Sequence, residues 1–118
     1  MKILVCGGSG FIGSTFIRNH FQTHTESQIT NLDNLTIGSN QENLKDLEHN
    51  PNYKFLNEDI RNEIFIENLV KDFDVVINFA AESHVDRSIA NPKPFIETNI
   101  LGTYSLLESI RKHDKLFV

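Results

Sequence analysis

The chain predicts an α/β fold with a doubly wound parallel sheet, and three observations carry that expectation. Short β-branched runs alternate with longer amphipathic ones along 118 residues, the alternation that gives parallel strands joined by helical crossovers. A glycine-rich segment, Gly7-Gly8-Ser9-Gly10-Phe11-Ile12-Gly13, follows the first run directly. The run Val75 to Phe79 is mostly hydrophobic without alternation, as in a strand covered on both faces.

Lys2 to Cys6 reads as a buried strand, followed by a helix from about Phe11 to Phe21. Gln28 to Leu32 is a second strand, leading into a polar loop rich in Asn, Gly and Ser. A short helix over Gln41 to Leu47 and a third strand over Tyr53 to Leu56 come next. A helix is expected over Glu63 to Asp72, because Phe65, Leu69 and Phe73 recur beside Ile66 and Val70 as one apolar face. Val75 to Phe79 is the fourth strand. The last long helix begins at Asn91-Pro92. Asn suits an N-cap there, and Pro suits a first turn in which its missing N–H has no acceptor. It runs to about Lys112, with Arg111, Lys112 and His113 at its negative end. Its apolar residues (Phe95, Ile96, Ile100, Leu101, Tyr104, Leu106, Leu107, Ile110) occupy more than one face, which implies cover by its own sheet and by another subunit. Leu116 to Val118 reads as the opening of a fifth strand, cut short in mid-element.

At roughly 150 residues per domain, one domain is expected. A content of 39% hydrophobic and 23% charged residues fits a folded soluble chain and not a disordered one. No apolar run exceeds four residues, which excludes a membrane-spanning helix, and the opening apolar stretch is too short for a secretory signal. A net charge of −5 argues against nucleic acid and anionic membranes as partners. The single cysteine excludes a disulfide framework and a cysteine-based metal site. A cytoplasmic protein without a metal is expected.

In a sheet of this kind a ligand sits beyond the carboxyl ends of the strands. After strand one, Gly7, Gly10 and Gly13 suit a tight turn, close approach of a diphosphate and close helix packing, with a helix N-terminus supplying N–H groups and partial positive charge. The alternative is a glycine turn that binds nothing. After strand two, Asp33 suits a carboxylate that accepts from ribose hydroxyls and repels a 2′-phosphate. Asn34 follows it, not Arg or Lys, so NAD is favoured over NADP; a solvated or capping aspartate is the alternative. After strand three, Asp59 and Ile60 can edge an adenine, the acid on its amino group and the aliphatic side chain on the ring, while Asp59 is equally a helix cap. After strand four, Ala80 and Ala81 let a cofactor lie against backbone. The polar cluster from Glu82 to Ser88 sits where a substrate would approach the nicotinamide, or is a solvated loop. Cys6 packs as a small hydrophobe. Asn99, a poor helix former inside a helix, implies a tertiary contact, either structural or functional.

Together these pieces resemble the extended short-chain dehydrogenase/reductase family of nucleotide-sugar enzymes, over essentially the whole chain. The most specific stretches are Gly7 to Gly13, Asn31 to Thr36 with Asn40, Asn43 and Leu44, and Ala80 to Ile89 continuing through Phe95 to Thr103. The last of these resembles the dehydratases of the family more than its epimerases. The resemblance implies a Rossmann-like fold and NAD contacts at Phe11, Ile12, Asp33, Asn34, Leu35, Thr36, Asp59, Ile60, Phe79, Ala80, Ala81, Glu82, Ser83 and Thr98. It also implies that Ser83 faces a nucleotide-sugar substrate, that Asn99 supports the nicotinamide end, and that the long helix forms a homodimer. Cys6, Asn34 and Ile37 depart from the family's usual Thr, Lys and Tyr.

Family chemistry oxidises the sugar's fourth carbon with NAD, removes water across the fifth and sixth, and returns the hydride to the sixth. It uses a Tyr-x-x-x-Lys pair. Four residues after Tyr53 is Asn57, and four after Tyr104 is Glu108, so no catalytic residue is expected in this chain. Residues 1–118 are expected to be the NAD-binding front part of such an enzyme, without its catalytic and substrate-binding remainder and inactive alone. The alternatives are a non-catalytic NAD-binding module, an inert truncated remnant, or a related epimerase or decarboxylase.

Overall fold

The computed structural model describes residues 1–118. Five strands, β1 (Lys2–Cys6), β2 (Gln28–Asp33), β3 (Tyr53–Asn57), β4 (Val75–Asn78) and β5 (Leu116–Phe117), form one sheet in the order β3-β2-β1-β4-β5. Every pair is parallel. The order reverses between β1 and β4, where a crevice forms between the loops leaving neighbouring strands.

The central strand shows why both faces are covered. Ile3 and Val5 point to one side and Leu4 and Cys6 to the other, and all four are buried. On one side Leu4, Cys6, Leu32 and Val76 pack with Ile66 and Val70 of α2 (Glu63–Val70) and with Leu106 and Ile110 of the long helix. On the other, Ile3, Val5, Ile29 and Ile77 pack with Ile17 and Phe21 of α1 (Phe11–Thr23) and with Leu44 of a 3₁₀ helix over Gln41–Leu47. Each such buried side chain stabilises the fold by about 1.5–3 kcal/mol.

The expected elements are present, with shifted ends. β2 and β3 each extend one residue, because Asp33 and Asn57 are register partners. β4 ends at Asn78, whose side-chain oxygen accepts from the Ala80 N–H and turns the chain. α2 stops at Val70 and is capped by Asn62, which accepts from the Phe65 N–H at 3.3 Å. The capping role considered for Asp59 therefore belongs to Asn62.

Two further differences concern the region after β4. A helix, α3 (Val85–Ala90), occupies part of the expected polar loop, and none of its residues is buried. Asn91 is not the N-cap of the long helix. It ends α3, its N–H donating to the Arg87 carbonyl, and the long helix starts without a side-chain cap at Pro92. That helix runs through Lys93–Phe95, a π-helical segment Ile96–Gly102, and Thr103–His113. Its inner face buries Gly102, Leu106 and Ile110, while Ile96, Ile100, Leu101, Tyr104 and Leu107 are exposed. No helix is long and apolar enough to cross a membrane.

Candidate functional site

A cleft of about 360 Å³ opens over the carboxyl ends of β1 to β4. Its floor follows from two glycines. Gly7 has φ +75°, and a Cβ there would lie 2.5 Å from the Ala80 nitrogen, so the loops after β1 and β4 meet with no side chain between them. A Cβ on Gly13 would overlap the Gly7 carbonyl oxygen, so α1 packs directly on the turn. Gly10 is the N-cap of α1 and supplies no side-chain cap, and no acidic residue stands in the first turn. The N–H groups of Phe11, Ile12 and Gly13 therefore meet the cleft at the positive end of a helix, an arrangement suited to an anion such as a diphosphate.

Asp33 stands beside this turn and is only 4% exposed. Its Oδ2 accepts from the Ser9 N–H at 2.9 Å and the Ser39 hydroxyl at 3.3 Å, and its Oδ1 accepts from the Leu35 N–H at 2.9 Å. A carboxylate has about four acceptor positions, so capacity remains for a ligand hydroxyl. Asn34 and Thr36 line the cleft. Leu35 does not; it holds a left-handed backbone, φ 55°, that aims its N–H at Asp33.

Ser9 is buried and held from three further directions. Its carbonyl accepts from the Asn40 N–H at 3.0 Å and Asn43 Nδ2 at 2.9 Å, and its hydroxyl accepts from Asn31 Nδ2 at 3.0 Å. Asn31 also donates to the Tyr53 hydroxyl at 3.1 Å. Sequence reasoning set Asn31, Asn40 and Asn43 in its specific stretches and gave none of them this work. The signal was available: a buried Asn in a strand needs partners, and a serine among glycines offers them.

At the β3 end of the cleft, Asp59 and Ile60 line the wall. Asp59 accepts from the Arg61 N–H, from Arg61 Nε and Nη2, and from Asn34 Nδ2, at 2.8–3.0 Å. Partial burial works against its charge, yet the bonds from Arg61, that residue's positive charge and the Asn34 amide prevail and hold the carboxyl below its usual value. Arg61 reaches on through Nη1 to Glu97 Oε2 at 3.0 Å.

On the β4 side, Phe79, Ala80, Ala81, Glu82 and Ser83 all line the cleft, and Thr98 joins them from the long helix. Asn99 does not line it. Its Oδ1 accepts from the Glu82 N–H at 2.8 Å and its Nδ2 donates to the Glu82 carbonyl at 2.9 Å, so it fixes the backbone of the lining loop. Residues not singled out as site residues also line the cleft: Leu32, Ile37, Gly38, Ser39, Glu58 and His84. Cys6 lies beneath, fully buried, its thiol pushed up to about 12 by burial and by the charge of Asp33, consistent with a packing role. No group of three His, Cys, Asp or Glu side chains is placed to hold a metal ion.

The sequence and the fold are shared with known proteins. A family model described as GDP-mannose 4,6 dehydratase matches residues 4–117. A dTDP-glucose 4,6-dehydratase of Escherichia coli is 50% identical over 115 residues, which are 96% of this chain and 32% of that protein. The crystal structure of a Bacillus anthracis dTDP-glucose 4,6-dehydratase in complex with NAD superposes with a TM-score of 0.86 at 39% identity, covering 98% of this chain and 35% of that one. The Streptomyces venezuelae dTDP-glucose 4,6-dehydratase DesIV, also with NAD bound, gives 0.89 at 38% identity over 98% of this chain and 37% of its own. The chain thus spans about a third of the length of these relatives. With the family model matched across nearly all of its residues, the chain belongs to the GDP-mannose 4,6 dehydratase family.

Proposed function

We propose that residues 1–118 form the N-terminal part of a Rossmann-like NAD-binding domain, serving a dTDP-glucose 4,6-dehydratase. One observation carries the reading: the Asp33 carboxylate, at the end of β2, lies beside the glycine turn that leaves β1, 2.9 Å from the Ser9 N–H and one strand away from the β1–β4 crevice where strand order reverses. That juxtaposition suits a dinucleotide whose diphosphate meets the bare start of α1 and whose adenosine ribose meets a carboxylate. In this reading Gly7, Gly10, Phe11, Ile12 and Gly13 cradle the diphosphate, and Asp33, Asn34, Leu35 and Thr36 shape the ribose pocket. Asp59 and Ile60 edge the adenine. Phe79, Ala80, Ala81, Glu82 and Ser83, with Thr98 and the loop-fixing Asn99, receive the nicotinamide half, and Ser83 also meets the sugar. NAD held by these residues would supply the hydride acceptor for oxidation at the sugar's fourth carbon and, once reduced, the hydride for the sixth. The residues of this chain bind and orient; a Tyr-x-x-x-Lys pair does not occur among them, and no catalytic residue is assigned here.

The same reading makes the protein a cytoplasmic homodimer joined through the exposed side of the long helix, without nucleic-acid or membrane partners. Calorimetric titration of the purified protein tests the cofactor assignment. NAD is expected to bind, and NADP roughly tenfold or more weakly, because a 2′-phosphate would meet the Asp33 carboxylate. Equal affinity for the two, or none for NAD, overturns it. The 118-residue chain alone is expected to give no 4-keto-6-deoxy sugar from dTDP-glucose, and turnover by that chain would refute the assignment of catalysis to residues outside it.

A further inference from the structure

The Asp59 carboxylate is the midpoint of a polar chain across one end of the cleft. Three N–H donors converge on Oδ2: Asn34 Nδ2 at 3.0 Å, Arg61 Nε at 2.9 Å and Arg61 Nη2 at 2.8 Å. Oδ1 takes only the Arg61 backbone N–H, at 2.9 Å. A carboxylate oxygen has two lone pairs, so Oδ2 is saturated and Oδ1 retains one. Arg61 is in turn braced by Glu97 at 3.0 Å, which also meets Lys93 Nζ at 3.7 Å.

The brace depends on the long helix lying close by. Gly102 permits this, since a Cβ there would lie 2.7 Å from the Ile60 side chain. Glu97 and the cleft-lining Thr98 are adjacent residues of one π-helical segment, a kind of distortion that recurs at functional sites. An isolated surface ion pair contributes about 0–1 kcal/mol. Asp59 and Glu97 are different, because each is less than one-third exposed at the side chain and one guanidinium serves both.

We infer that Arg61 is a positioning residue for purine recognition: braced by Glu97, it orients Asp59 so that one fixed acceptor, the free lone pair of Oδ1, selects a 6-amino purine over a 6-oxo purine. The inference rests on the NAD reading above and deepens it. An adenine amino group donates to that oxygen. A hypoxanthine carbonyl places a second acceptor against it, which a carboxylate with its other oxygen saturated cannot turn away from.

The test is equilibrium titration of the purified protein with NAD and with nicotinamide hypoxanthine dinucleotide. The parent protein is expected to prefer NAD by roughly tenfold, as for one hydrogen bond to a charged acceptor. Arg61→Met is expected to weaken NAD binding by roughly that factor while leaving the hypoxanthine analogue unchanged or bound somewhat more tightly, so the preference collapses. Arg61→Lys is expected to restore part of it, and Glu97→Gln to fall between. An unchanged preference in Arg61→Met, or parallel loss of both dinucleotides, overturns the inference. Should Arg61→Met fail to fold, the preference in Arg61→Lys and Glu97→Gln decides, and a parent-like value in both refutes it. A parent protein that binds neither dinucleotide refutes the NAD reading itself, an outcome distinct from any change in preference.

Discussion

Asp59 is favoured in its ionised form by Asn34 and by an Arg61 side chain that the fold fixes against it through Glu97, which makes it a pH-dependent contributor to stability. Burial pushes the carboxyl up, but the Arg61 bonds and charge and the Asn34 amide bring it below its ordinary value of 3.8. With the folded value lower than the unfolded one, the contribution is complete above the unfolded value. It is lost as pH falls through 3.8 toward the folded value, because the unfolded chain takes up the proton first. Thermal melts between pH 6 and pH 3 therefore check the assignment. The stability gap between the parent protein and Arg61→Met is expected to be widest near pH 6 and to narrow toward pH 3. A gap that stays constant would mean that Arg61 does not stabilise the ionised carboxylate.

Among the elements, the long helix carries the most that local pattern could not disclose. Its buried glycine faces Ile60 of the loop after β3, so Gly102→Val is expected to destabilise the fold by about 1–3 kcal/mol through overpacking. Urea denaturation measures this, and an unchanged midpoint would place the helix farther from that loop. Strands and apolar helix faces were legible because their periodicity is local: Leu4 and Cys6 alternate with Ile3 and Val5 wherever the chain is cut. Asp33 was legible from its distance along the chain after the glycine turn. α3 was not, since its largest apolar residues, Val85 and Ile89, are exposed and give it no inward stripe. Asn91 is a good capping type, but the backbone there closes α3 instead. The Arg61–Glu97 pair joins residues 36 positions apart, and the π-helical turn brings Asn99 to Glu82 across 17. Neither separation leaves a trace in any short window of sequence.

For the molecule as a whole, the row formed by Ile96, Ile100, Leu101, Tyr104 and Leu107 is the largest apolar feature left open on the long helix. Under the proposed dimer, Leu101→Glu combined with Leu107→Glu is expected to convert a two-subunit species to single chains in sedimentation velocity, leaving NAD affinity unchanged. Sedimentation unaltered by two buried charges would remove the helix from the interface. The other whole-molecule property concerns Ser9, which Asn31, Asp33, Asn40 and Asn43 grip from both the second strand and the segment beyond it. Those bonds are complete in the protein by itself, so the nest of amides is built during folding rather than by its guest. Under the proposed NAD reading, a dinucleotide arriving there meets a finished socket, and little ordering entropy remains to be lost on docking.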